Sequence, residues 1–404
     1  MNLKNQMRRG DYMSKKAKII GVNMIPFKKP GLQEPYPVMA AKAVKGALED
    51  AGIDYSEIQQ AYASYIYGDS TCGQKALYMV GMTGIPIINV NNNCSSGSTA
   101  LYLARQAVES GAVECALAVG FEEMQPGALK SHWDDRISPV EWLQERVVEL
   151  WPEVPHTPRA IRLFGSAAEE YIEKYGANPD IFGRVAVKTR NHAIQNPFSL
   201  FSKPLTLEEV MNSPKLMPNM TRFMACPPTC GAAAAIVCSE EFANKHGISQ
   251  AVEIVAQALT TDLSVTNDSI MNLVGADMTR RAANQVYEAA GIGPDEIDVL
   301  ELHDCFTPSE VITYEGLGLC EEGGAEKFIH DGRNTYGGQV VVGPSGGLMS
   351  KGHPIGATGL AQCTELVWQL RGQAQKRQVE NARVALQHNL GLGGACVVTM
   401  YRMG

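Results

Sequence analysis

The chain has too little uninterrupted apolar sequence near its start for a secretory signal to be expected. Its apolar stretch at 19–27 is too short and too interrupted for a signal core or a spanning helix, so no membrane role and a cytoplasmic location are expected. It also lacks a cysteine framework. The ten cysteines stand singly, so disulfides are not expected, and most should behave as small buried hydrophobes in a reducing compartment. The nearest metal-like clusters, Cys226 with Cys230 and Cys305 beside His303, lack the paired spacing of a structural zinc site, and no metal is expected. Positive charge is in deficit too. With 35 Lys and Arg against 43 Asp and Glu the net charge is -8, which argues against a broad nucleic-acid surface but leaves room for a local basic patch facing a phosphorylated ligand.

What is present is apolar bulk and an internal repeat. A chain of 404 residues with 45% hydrophobic content can form two or three domains around a large core. Segment 91–100 has a counterpart at 351–360. Aligned without gaps on Gly97 and Gly356, the two share Gly-x-Thr-x-Leu, ending at Leu101 and Leu360, and Cys94 falls opposite His353. One copy carries a potential nucleophile where the other carries a potential base. This suggests two similar halves facing each other across a shared site, with a cysteine activated by a histidine.

A second repeat pair lies in the same order, with 286–302 mirroring 47–63. Periodicity predicts strands at 18–22, 60–67, 114–119, 298–302 and 383–387. It predicts helices at 37–51, ending at Gly52, and at 98–110 and 356–371. Strands alternating with helices imply parallel sheets covered by helices on both sides. Between the repeats, 122–228 does not repeat, is rich in Pro and Met, and holds Trp133, Trp142 and Trp151. It reads as a loop domain shaping a ligand site. The expected organisation is an extension at 1–16, with Met13 as an alternative start, a first half at 17–121 and 229–268, the loop domain at 122–228, and a second half at 269–404. From the final residues, Tyr401-Arg402-Met403-Gly404, no peroxisomal address is expected.

Three segments then become informative together: Asn93-Cys94-Ser95-Ser96-Gly97, Gly352-His353-Pro354-Ile355-Gly356-Ala357-Thr358-Gly359, and His303-Asp304-Cys305-Phe306. They resemble those of a thiolase, and more closely a thiolase of the sterol carrier protein type. The likeness extends over the chain after residue 17, including Tyr67-Gly68-Asp69-Ser70-Thr71-Cys72-Gly73-Gln74. The resemblance implies an α/β thiolase fold, two repeated halves in a five-layered α-β-α-β-α sandwich with an inserted loop domain that binds coenzyme A. It implies a homodimer or homotetramer and leaves room for a small partner protein. It also implies reversible thiolytic cleavage of a 3-ketoacyl-CoA, with CoA as co-substrate and no permanently bound cofactor.

Cys94 is the expected nucleophile. It sits just before a predicted helix whose N-terminus should favour the thiolate, and His353 is the expected base. Most thiolases take a second cysteine from a C-terminal Cys-x-Gly motif, but this loop reads His388-Asn389-Leu390-Gly391-Leu392-Gly393-Gly394, and Asn389 cannot do thiol acid-base work. The resemblance assigns that task to Cys305. It assigns one oxyanion hole to His303, through an ordered water, with His353, and the other to the backbone N–H groups of Cys94 and Gly391. Glycine at 391 allows the close approach a backbone donor needs. His388 is expected only to orient this loop. In the glycine-rich 343–347, Ser345 and Gly346 are expected near the CoA pantetheine, with a plain tight turn as the other reading. One departure is Cys230, which replaces an acidic residue usual in relatives and is expected to affect local hydrogen bonding.

Two other functions compete. A steroid side-chain retro-aldolase shares this fold, but such relatives lack the nucleophilic cysteine. A non-catalytic lipid carrier would be expected to have lost one of Cys94, His303, Cys305 or His353. The sequence does not set reaction direction, acyl length or sterol preference.

Overall fold

The computed structural model describes residues 15–127, 133 and 135–403. The alternative start Met13, and the expected extension up to residue 14, lie outside the described residues. Among the described residues the strands are β1 (Ala17–Met24), β2 (Gln60–Ser64), β3 (Ile87–Val90), β4 (Cys115–Glu122), β5 (Lys215–Met217), β6 (Met220–Thr221), β7 (Gly231–Ser239), β8 (Val252–Thr260), β9 (Val299–Glu301), β10 (Val341–Val342), β11 (Val384–Gly391) and β12 (Ala395–Met403). All but β5 and β6 join one sheet in the order β10-β9-β11-β12-β8-β1-β7-β4-β2-β3. The repeat is visible as mirror order on either side of the β1–β8 join, where Lys18 pairs with Glu253 and Ile19 with Val252.

The sheet is mixed, not parallel as expected. β7 runs antiparallel to β1 and β4, and β12 antiparallel to β11 and β8. The cause is connectivity. β11 and β12 are joined by a tight hairpin closing at Gly391 and Ala395, which only antiparallel strands allow. β4 and β7 pair at Glu122 and Gly231, so the long insertion leaves and re-enters the sheet at neighbouring positions. The boundary expected after residue 268 would place β8 with the first half. Its ladder instead runs along β12, from Val252–Met403 to Thr260–Cys396, in the second half.

Three apolar clusters define the layers. Outside the first half, helix Tyr36–Ala51 puts Val44 and Ala47 against Ile20, Leu117 and Ile236. Between the halves, helices Ser96–Glu109 and Thr358–Leu370 contribute Leu101, Leu360 and Leu366 to a core with Ile19, Val237, Ala385 and Tyr401. Outside the second half, helices Ala276–Ala290 and Thr307–Gly316 cover Leu300 and Met400. The same cluster continues into the insertion at Phe164 and Tyr171. The order is helix, sheet, helix, sheet, helix. Strands such as β4 and β7 are buried on both faces, which is why they read as unbroken apolar runs.

The two central helices meet at their N-terminal turns because small residues sit there. A Cβ on Gly97 would lie 3.0 Å from Gly359 N, and one on Gly359 would overlap Ser98. The motifs that precede these helices, at Cys94 and His353, are thereby brought together. Helix Tyr36–Ala51 ends at Gly52, whose φ of 67° suits glycine. The strand expected at 60–67 stops at Ser64, because the N–H groups of Ile66 and Tyr67 turn to the carboxylate of Glu122. No helix among the described residues is long and apolar enough to cross a membrane.

Candidate active site

Cys94 lies in the turn between β3 and helix Ser96–Glu109, after Asn93, whose φ of 50° is left-handed. Asn93 donates from Nδ2 to Leu392 O at 3.0 Å, clamping this turn to the glycine loop. Gly391 is where the two backbones press together, since a Cβ there would overlap Asn92 O and lie 2.7 Å from Ser95 Oγ. His353 follows Gly352, which has φ of 120° and no room for a side chain beside Thr229. The Thr229 hydroxyl accepts the His353 backbone N–H at 3.1 Å.

The Cys94 sulfur and one ring nitrogen each of His303 and His353 lie within 4.8 Å of one another. The two rings are edge to face, with centroids 5.1 Å apart. Both Nδ1 atoms are engaged elsewhere, leaving Nε2 of each ring for the site. The Thr358 hydroxyl gives its hydrogen to Pro354 O at 3.0 Å, so at 2.6 Å it accepts from Nδ1–H of His353. Nε2 of His353 therefore carries a lone pair, as a base must. A thiol and two imidazoles at this spacing have the donor set of a soft divalent cation as well as of nucleophilic catalysis.

Burial governs the protonation states. It pushes His353 down to about 3 and His303 well below the ordinary imidazole value, so both are neutral near pH 7. Cys94 is pushed up to about 12, chiefly by burial and then by Glu122, against the hydrogen bonds of its own N–H and that of Leu392. The expected gain from the helix N-terminus is thus outweighed. Resting Cys94 is a thiol whose proton must pass to His353. Alkylation of Cys94 by iodoacetamide is therefore expected to keep accelerating as pH rises through 9. A plateau reached below pH 7 would show a thiolate–imidazolium pair instead.

Cys305 is buried, and its thiol is held well above the ordinary value by burial and by the nearby Cys226, Cys94 and Asp304. A neutral thiol there can donate a proton. Cys226 was legible in the sequence only as a weak metal-like partner of Cys230. The structure separates the two. Cys226 N–H donates to Cys305 O at 2.9 Å, and its sulfur lies within electrostatic range of Cys94. Bridges Ala225–Phe306 and Pro228–His353 lay its segment beside both motifs. Cys230 packs instead with the outer helix of the first half, its sulfur on Met124 N and O.

Ser345 and Gly346, expected beside CoA, lie inside. Both donors of Ser345, N–H and hydroxyl, go to Glu301, and its carbonyl accepts from Asn196 at 2.8 Å. Gly346 has φ of 89° and abuts Ala193, so the segment is a tight turn packed on the insertion. Asp304 anchors the end of that turn, accepting from Leu348 N at 2.8 Å and Met349 N at 3.4 Å. His388 accepts the His303 N–H on Nδ1 and meets Thr279 on Nε2, a buttress for the His303 segment.

Glu122 is a residue that sequence reading passed over, although a carboxylate closing the apolar run of β4 was a visible signal. It is buried, lifted to about 7 by desolvation, and accepts from Ile66, Tyr67 and Gly356 N–H at 3.2, 2.8 and 2.8 Å. It ties the end of β2 to the loop that carries His353. Glu122→Leu removes the acceptor of one buried and two partly buried N–H groups and is expected to cost about 2 kcal/mol or more in stability, read as a lowered denaturation midpoint.

Residues 17–213 match the thiolase N-terminal domain family and residues 256–400 the thiolase C-terminal domain-like family. The chain belongs to the thiolase family. Within it, the chain falls with the sterol carrier protein type. Sterol carrier protein 2 of Oryctolagus cuniculus is 52% identical over 392 residues, spanning 96% of this chain and 72% of that protein. Among solved structures, the Ltp2-ChsH2(DUF35) aldolase aligns with a TM-score of 0.80 at 23% identity, covering 97% of this chain and 98% of that one. Human mitochondrial 3-ketoacyl-CoA thiolase aligns with a TM-score of 0.71 at 16% identity, covering 97% and 99%. Both structures share the fold.

Proposed function

We propose that this chain cleaves 3-ketoacyl-CoA with CoA by a ping-pong mechanism through a Cys94 acyl-enzyme, in lipid breakdown. The observation that carries the reading is the convergence of Cys94 with a base nitrogen of His353 and a ring nitrogen of His303, next to the buried thiol of Cys305. His353 takes the Cys94 proton as sulfur attacks the 3-keto carbon. The C2–C3 bond then breaks, and Cys305 protonates the acetyl-CoA enolate that leaves. CoA-SH, giving its proton to the Cys305 thiolate, attacks the acyl thioester and releases the shortened acyl-CoA, and His353 returns the proton to Cys94. His303 and the backbone N–H groups of Cys94 and Gly391 stabilise the successive oxyanions.

In this reading the insertion 122–228 binds CoA, CoA is a co-substrate with no resident cofactor, and the chain works as a homodimer or homotetramer. The reverse condensation uses the same residues. The likeness in fold to an aldolase complex favours a second reading, retro-aldol cleavage of a CoA ester without a covalent intermediate. The test is turnover of acetoacetyl-CoA and of a long-chain 3-ketoacyl-CoA by purified protein. CoA-dependent loss of the 3-ketoacyl thioester supports the thiolase reading. Failure on both substrates moves the assignment to the aldolase, or to lipid binding without turnover.

A further inference from the structure

We infer that Asn389 is a positioning residue that fixes His303 as the Nε2–H tautomer, so that the two histidines face Cys94 in opposite roles, His353 as acceptor and His303 as donor. The kinetic consequence rests on the thiolase reading. The structural content does not.

The orientation of each polar group follows from the next. The Tyr401 hydroxyl donates to Gln387 Oε1. Gln387 Nε2 then faces Gly359 O at 2.6 Å and Ser98 Oγ at 2.9 Å, and both are able to accept. Ser98 gives its single hydrogen to Asn389 Oδ1 at 2.9 Å. With Oδ1 so placed, it is Nδ2 of Asn389 that meets His303 Nδ1, at 3.2 Å. An amide N–H can only donate, so Nδ1 must hold a lone pair, and a neutral ring then carries its one proton on Nε2. Ser98, Gln387, Asn389 and Tyr401 are 0% exposed and His303 1%, so these bonds are shut off from bulk solvent. Ser309 Oγ donates to His303 O at 2.8 Å and holds the backbone beneath the ring.

Two neutral imidazoles within 4.8 Å of one thiol would otherwise be interchangeable. Thr358 accepts from Nδ1–H of His353, whereas Asn389 donates to Nδ1 of His303, and this difference gives each ring its task. A donor at His303 Nε2 suits a carbonyl or enolate oxygen of the CoA ester. It also opposes a metal ion at the Cys94–His303–His353 cluster, because ligation would first require that proton to leave. Asparagine at the position where most thiolases carry cysteine is thereby given a function of its own.

The test begins with 15N NMR of ring-labelled wild-type protein, assigned with His303→Gln. His303 is expected to be protonated on Nε2 and His353 on Nδ1. A His303 proton on Nδ1 overturns the inference, whatever the enzyme does. Asn389→Leu, which keeps volume without hydrogen bonds, is expected to mix the His303 tautomers and lower kcat about a hundredfold to a thousandfold with little change in KM. Asn389→Asp turns the donor into an acceptor. Its Nδ1 partner must then be protonated, so activity is expected only below a raised His303 pKa, as a new loss of rate with rising pH. An unchanged tautomer and pH profile in the Asp variant also overturns the inference. Wild-type protein that is inactive on every 3-ketoacyl-CoA but shows the expected tautomers removes the thiolase reading and leaves the role of Asn389 standing.

Discussion

Cys94→Ala is expected to abolish CoA-dependent cleavage of 3-ketoacyl-CoA, with a loss on the order of 10⁴ to 10⁶ in kcat, the scale on which removing a covalent nucleophile acts. The loss is this large because no other group can substitute. Of the neighbouring cysteines, Cys305 is buried and Cys226 partly buried, both are held as thiols, and the loop that supplies a second cysteine in most thiolases here offers Asn389. Removing one sulfur from a partly exposed residue should leave the denaturation midpoint almost unchanged. The check is thiolysis with acyl-enzyme trapping by mass spectrometry. Wild-type protein should gain the mass of the acyl group at Cys94, and the variant should gain none. A variant that still cleaves the substrate at the wild-type rate would overturn the covalent mechanism through Cys94.

Cys305→Ala is expected to lower the rate about a hundredfold to ten-thousandfold, the usual worth of a general acid or base. Its signature differs from that of Cys94→Ala, because the base and nucleophile remain. Alkylation of Cys94 should proceed as in the wild type. Exchange of the acetyl-CoA methyl protons with deuterated water, which requires a group to protonate and deprotonate the enolate carbon, should be lost. If exchange survives in Cys305→Ala and disappears in Cys226→Ala, the proton donor is Cys226, whose N–H bonds the Cys305 carbonyl. The alanine at Cys305 also leaves a small cavity in the core it shares with Phe306 and Leu390, so a lowered denaturation midpoint accompanies the kinetic effect.

The parts of this protein legible in its sequence are those set by local periodicity and by short motifs. The 3.6-residue pattern at Tyr36–Ala51 with a glycine stop, and the apolar run of β4, determine elements because burial on one or two faces needs those patterns. The repeat that sets Cys94 opposite His353 announced a nucleophile and base. Glycines at 97 and 359 are the reason the two copies can come close enough to use them. Strand direction was not legible, since alternation alone does not distinguish the antiparallel return of β7 from a parallel crossover. Nor was the membership of β8, which the β12 ladder decides.

Protonation and orientation were decided by tertiary structure alone. A helix N-terminus at Cys94 reads from the sequence as a stabilised thiolate, but desolvation and the buried charge of Glu122 override it. Ser345 read as a ligand contact until Glu301, forty-four positions earlier, claimed both its donors. The sequence by itself determined which chemical groups this protein brings to its site. Only the fold decided which atom of each group carries a proton, because that depends on hydrogen-bond partners such as Thr358, set by the turn after His353, and Asn389, oriented by Ser98 of the other half.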